Sequence, residues 1–96
     1  MITKKYSKDG KNCRVTFKLP AEINSQTARI FSEFNNWVGE NMTRQKAGSF
    51  SYAITLPAGN KYRFRYLLDD NRWENDPQAD GYVPNPYESE DSILKV

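Results

Sequence analysis

The sequence predicts an all-β domain, closest to an immunoglobulin-like antiparallel sandwich, and three observations predict it. Apolar residues recur with period two in four separate runs, turn-forming residues fall between those runs, and no stretch carries an apolar stripe at helical spacing. With 96 residues the chain is the size of one modest domain. Its 38% hydrophobic content, with aromatics at 14%, is enough to build a folded core.

Residues 1–10 carry Lys4, Lys5 and Lys8 with no apolar run behind them, so they read as a basic, mobile N-terminal segment ahead of a single sandwich spanning 11–96. The first strand follows, with Cys13, Val15, Phe17 and Leu19 set against Arg14, Thr16 and Lys18. Pro20-Ala21 ends it. A second strand is predicted from Thr27 to Phe34, with Ala28, Ile30 and Phe34 on one parity, and Asn35-Asn36 turns the chain. After Ala47-Gly48, the run from Ser49 to Leu56 puts Phe50, Tyr52, Ile54 and Leu56 on one face. Pro57-Ala58-Gly59-Asn60 then leads into Lys61 to Asp69, where Tyr62, Phe64, Tyr66 and Leu68 face the core and Lys61, Arg63 and Arg65 face outward. Asp69-Asp70-Asn71 reverses the chain again, and short strands are expected around Trp73 and from Ser92 to Val96.

Charge and composition remove several function classes. The net charge of +2 hides a basic start, with Lys4, Lys5, Lys8, Lys11, Arg14 and Lys18, and an acidic end, with Asp69, Asp70, Glu74, Asp76, Asp80, Glu88, Glu90 and Asp91. The two halves are expected to pair or to steer partners, and this is not the evenly basic surface of a nucleic-acid binder. The alternation in Tyr62 to Tyr66 also separates aromatics from cations, so no nucleic-acid partner is expected. Cys13 is the only cysteine and histidine is absent, so neither an internal disulfide, a Cys/His metal cluster nor a His-activated nucleophile is available, and no cofactor is expected. No segment approaches membrane-spanning length and the start lacks a leader pattern, which predicts a cytoplasmic protein with no membrane partner. Asp69, Asp70, Glu74 and Asp76 are the obvious carboxylates for glycoside hydrolysis, but they gather in or beside one turn expected to be exposed. The chain is therefore read as non-enzymatic.

Two tryptophans carry the functional signal. Trp37 closes Phe34-Asn35-Asn36-Trp37 and Trp73 follows Asp69-Asp70-Asn71-Arg72, so both indoles stand among polar residues on connecting segments. A flat apolar ring rimmed by hydrogen-bonding groups suits a pyranose, which presents C–H patches above and below a belt of hydroxyls. Arg65, Asn36, Asn75 and Asp91 are the candidates for that rim.

Four pieces in order resemble a known family: Phe34-Asn35-Asn36-Trp37, Leu56-Pro57-Ala58-Gly59, Tyr62-Arg63-Phe64-Arg65-Tyr66-Leu67-Leu68-Asp69, and Arg72-Trp73-Glu74-Asn75-Asp76-Pro77. From Arg14 to Val96 the chain is similar to the family-48 carbohydrate-binding module. That family includes the glycogen-binding module of the AMP-activated kinase beta subunit and the N-terminal domains of isoamylases and glycogen-branching enzymes. The resemblance implies an early-set sandwich that binds α-1,4-linked glucan or oligosaccharide, with Trp37 and Trp73 stacking on glucose. It also implies that Arg65 stands where the kinase-type module has a sugar-binding lysine, Asp91 where it has a sugar-binding asparagine, and Tyr87 near an apolar residue that contacts glucan. Two departures matter. The family's Asp-Gly turn reads Asp69-Asp70, losing the residue that takes positive φ most easily, so a wider turn is expected. Asp91 offers only acceptors and would need hydroxyl donors from the sugar. The competing reading is an early-set interaction module that docks on a glycan-active enzyme or a regulatory protein.

Overall fold

A computed structural model describes all 96 residues, and ten strands make up almost all of its regular structure. They are β1 (Ile2–Tyr6), β2 (Asn12–Leu19), β3 (Ala28–Ser32), β4 (Glu40–Asn41), β5 (Thr43–Arg44), β6 (Phe50–Pro57), β7 (Lys61–Leu68), β8 (Arg72–Glu74), β9 (Gly81–Pro84) and β10 (Glu90–Lys95). Every pairing is antiparallel. One sheet has the order β1-β2-β6-β5, and the other β4-β3-β7-β10-β9 with β8 also paired to β7. Face to face they form an immunoglobulin-like β-sandwich, as the alternation predicts. No helix is long and apolar enough to cross a membrane.

The core is built from the inward parities of the two sheets. Cys13, Val15, Phe17 and Leu19 of β2 and Phe50 and Leu56 of β6 meet Ala28, Ile30, Phe64, Tyr66, Leu68 and Leu94 from the opposite sheet. Aromatic edges lock the layers, with Phe17 and Phe64 ring centroids 5.2 Å apart in a T-shaped pair. Cys13 is fully buried and free.

Three expectations change. The first ten residues do not stand outside the domain: β1 pairs with β2 from Ile2↔Phe17 to Tyr6↔Cys13. Backbone pairing and the partly buried Ile2 hold it, while Lys4 meets Asp80 at 2.6 Å, so the basic start does engage the acidic end. The second strand stops at Ser32 rather than Phe34, because Ser32 caps a 3₁₀ turn over Glu33–Asn35 with a reciprocal capping box. Asp76, expected near an exposed turn, is fully buried. Its Oδ2 accepts the Tyr66 hydroxyl at 2.7 Å and its Oδ1 accepts the Gln78 N–H at 2.8 Å, so satisfied hydrogen bonds keep it inside.

Tyr52 shows how the sandwich edge responds to alkali. Burial, reinforced by a 2.8 Å hydrogen bond to Glu40, pushes its phenol up from 10 to about 12. The folded value lies above the unfolded one, so the stabilisation is complete below pH 10 and is lost as the pH climbs to about 12. Tyr52→Phe is expected to flatten that part of the stability profile. Phenolate absorbance against pH checks it, and a Tyr52 phenol titrating with the exposed tyrosines contradicts it.

Candidate binding groove

The outer face of the β4-β3-β7-β10-β9 sheet carries the site. Strand parity sends Arg29 and Phe31 of β3, Arg63 and Arg65 of β7 and Asp91 of β10 outward, and it aligns Trp73 of β8 opposite Leu67. Loops add Trp37 from one side and Asn85, Pro86, Tyr87 and Ser89 from the other. These residues, without Arg29, Arg63 and Leu67, line one open concavity of about 840 Å³. Trp37 is 41% exposed, Trp73 45% and Tyr87 81%. Both indoles and the Tyr87 ring thus open onto a shared groove of ligand-binding size.

Trp37 reaches the groove through a tight curl. Asn36, Trp37 and Gly39 have φ of 56°, 58° and 61°, and the Trp37 N–H donates to Ser32 O at 2.8 Å. A bulky residue in the left-handed region costs roughly 1–2 kcal/mol, and such strain concentrates at binding sites. Asn36 itself does not line the groove; it takes the left-handed cap after the 3₁₀ turn, a backbone duty that Asn tolerates well.

Trp73 is set by the turn that joins β7 to β8. Asp69 and Asp70 both take positive φ, 53° and 57°, and only three residues separate Leu68 from its partner Arg72. Both aspartates thus adopt the left-handed conformation that glycine takes most easily. Asp69 Oδ1 accepts the N–H groups of Gln26 at 2.7 Å and Thr27 at 3.1 Å, which holds the strained backbone in place. Those bonds, with that to Thr27 the stronger influence, hold the Asp69 carboxyl below the usual carboxylate range. Its folded pKa lies below the unfolded one, so the stabilisation is present above the ordinary carboxylate range and fades as pH falls through the lowered value. Asp69→Ala is expected to lower the melting temperature at neutral pH and to differ less from the parent in acid. A gap that stays constant down through the carboxylate range would show that the charge is irrelevant.

Arg65 lies 5.0 Å from the Trp73 ring centroid, with its side chain 17% exposed. Its Nε is buried without a hydrogen bond, 3.9 Å from Asp91 Oδ1. The terminal guanidinium nitrogens make no hydrogen bond within the protein and remain free to donate to a ligand in the groove. Asp91 lines the groove but its side chain is 10% exposed. It accepts Asn85 Nδ2 at 3.1 Å and lies 3.9 Å from Arg63 Nη1, so it positions the arginines more than it offers a free acceptor.

Asn75 is elsewhere. Its amide donates to Glu90 O at 2.8 Å and its oxygen accepts the Ser92 hydroxyl at 3.0 Å, which pins the chain on the inner side once β8 has ended. It lines a second cavity, of about 760 Å³, with Tyr66 and Leu68. Phe31, Asn85, Pro86 and Ser89 are the groove residues missed by sequence reasoning. Phe31 sits on the outward parity of its strand beside Arg29, and an aromatic on that parity is the signal that marks it. Arg29 and Arg65 lie 5.0 Å over Phe31 and Trp73, so cations and rings do share this face. The separation seen within β7 alone does not extend to its neighbours, which supply the rings.

Protein-family models give no match to the chain, and neither do curated proteins.

Proposed function

We propose that this chain is a non-catalytic, cytoplasmic module that binds α-1,4-linked glucan, of the glycogen or starch type, as its resemblance to family-48 carbohydrate-binding modules implies. The observation that carries the reading is the shared groove: Trp37 and Trp73, partly exposed, line one concavity with Arg65 and Tyr87. Indole faces supply apolar contact to sugar C–H groups, and the free Arg65 nitrogens supply donors for hydroxyls. Asp91 is the only carboxylate lining the groove, whereas glycoside hydrolysis calls for two facing each other. Three arginines of this face stand against carboxylates, Arg29 with Asp70 and Arg63 and Arg65 with Asp91, each at 3.9 Å, which disfavours a phosphate backbone.

Affinity electrophoresis in glycogen or amylopectin gels tests the reading. The parent is expected to be retarded, and Trp37→Ala or Trp73→Ala to lose about tenfold or more in apparent affinity. Absence of retardation of the folded parent rules the reading out. Val38, beside Trp37, is 69% exposed, more apolar surface than a sugar needs, and it favours docking on a glycan-active enzyme or regulatory protein as the second reading. In that case the tryptophan substitutions weaken a protein complex instead.

A further inference from the structure

Phe31 is a large apolar side chain that the core does not use. It is absent from the buried cluster of both sheets and from the partly buried residues packed on it. Instead it stands on the outer face of β3, paired directly across from Arg65, and lines the groove between sheet and loops. Three neighbours fix its ring. Trp73 meets it edge to face, with centroids 5.0 Å apart at 63°. The Arg29 guanidinium carbon lies 5.0 Å from its centroid, and Arg29 Nη2 donates to Gly39 O at 3.4 Å. Gly39 lies so close that a Cβ there would stand 2.3 Å from Phe31 Cζ.

Burying such a ring inside would stabilise the domain by about 2 kcal/mol through solvent transfer alone. Leaving it half-buried on the outer face, beside Trp73, gives up part of that gain. A ring whose orientation is fixed by its neighbours loses little side-chain entropy when a ligand settles on it. We propose that Phe31 is itself a ligand-contacting residue, a third apolar platform in the floor of the groove that takes the C–H face of a pyranose. This rests on the glucan reading of the same groove.

The other phenylalanines make the test clean. Phe17, Phe50 and Phe64 are buried and Phe34 packs against the core away from the groove lining, so Phe31 is the one phenylalanine that a sugar seated in the groove meets. The experiment is an isotope-filtered NOE measurement on protein labelled at phenylalanine, titrated with maltoheptaose, with the indole N–H shifts of Trp37 and Trp73 followed in the same samples. Expected are indole shifts together with NOEs from phenylalanine ring protons to sugar C–H protons. Phe31→Leu, which keeps an apolar side chain in place, is expected to retain the unfolding midpoint and lose about fivefold in maltoheptaose affinity. Indole shifts without any phenylalanine–sugar NOE, or Phe31→Leu binding as tightly as the parent, overturn this inference and leave the glucan reading intact. A folded parent whose indoles do not shift overturns both.

Discussion

Replacing Asp76 with alanine is expected to lower the unfolding free energy by about 3 kcal/mol, the largest single loss at any polar side chain of the domain. Asp76 is fully buried, and both of its oxygens are engaged, Oδ2 by the Tyr66 hydroxyl and Oδ1 by the Gln78 N–H. Its backbone completes the hub: the N–H donates to Ser92 Oγ at 3.0 Å and the carbonyl accepts the Tyr82 hydroxyl at 2.5 Å. Truncation strands the buried Tyr66 hydroxyl and the part-buried Gln78 N–H at once, and a stranded buried group costs about 1–3 kcal/mol. Domains of this size hold only about 5–15 kcal/mol in total, so the melting temperature should fall by more than about 10 °C. Asp76→Asn keeps the shape and one acceptor and is expected to lose about half as much. Urea unfolding of the three proteins decides the matter. A loss below about 1 kcal/mol for Asp76→Ala would mean that water replaces the carboxylate, and the hub would not be what ties Asn75–Gln78 to the sheet.

The same region shows why some of the fold is legible in the sequence and some is not. β2, β6 and β7 are eight residues each and alternate cleanly, so period two identifies them to within a residue. β4 and β5 have two residues each and carry no period at all; tertiary pairing alone creates them. β1 hides because only Ile2 contributes to the core, while Lys4 and Lys5 give the segment the look of a solvated tail. Lysines on an edge strand discourage pairing with other chains, and that is the setting in which β1 is found. β9 is masked by Gly81 and Pro84, residues that read as breakers until an edge position makes them tolerable.

For the groove, the legible part is what local context reports. Polar neighbours announce Trp37 and Trp73, and strand parity announces Arg65. Which groups share the groove depends on the order of strands in the sheet, and no local pattern encodes that order. Asn36 and Asn75 have the right chemistry, but each serves the backbone: one as a left-handed cap, the other as a tether to Glu90 and Ser92. Asn85 shows the converse. Its side chain accepts the N–H groups of Tyr87 at 3.0 Å and Ser89 at 3.3 Å and donates to Asp91, so a loop that reads as irregular is organised by one amide.

Gly39→Ala is expected to damage stability and ligand binding together, because two independent costs fall on one position. The φ of +61° is strained for any residue with a Cβ, at about 1 kcal/mol. The added methyl would also stand 2.3, 2.5 and 2.8 Å from three atoms of the Phe31 ring, an overlap that forces the ring or the loop to move. Overpacking of this kind costs about 1–3 kcal/mol, so the sum is about 2–4 kcal/mol. Phe31 cannot retreat without disturbing Trp73, whose ring meets its own at 5.0 Å, and the loop cannot retreat without carrying Trp37 away. Retardation in glycogen gels is therefore expected to fall at least tenfold, as far as with loss of a tryptophan. A double-mutant cycle with Phe31→Ala separates the two costs. Removing the ring abolishes the overlap but not the backbone strain, so Gly39→Ala should cost about 1 kcal/mol in the Phe31→Ala background against about 2–4 kcal/mol in the parent. If the two substitutions prove additive in urea unfolding, the Phe31 ring is not what demands glycine at position 39, and the loop bearing Trp37 is held in place by something other than that contact.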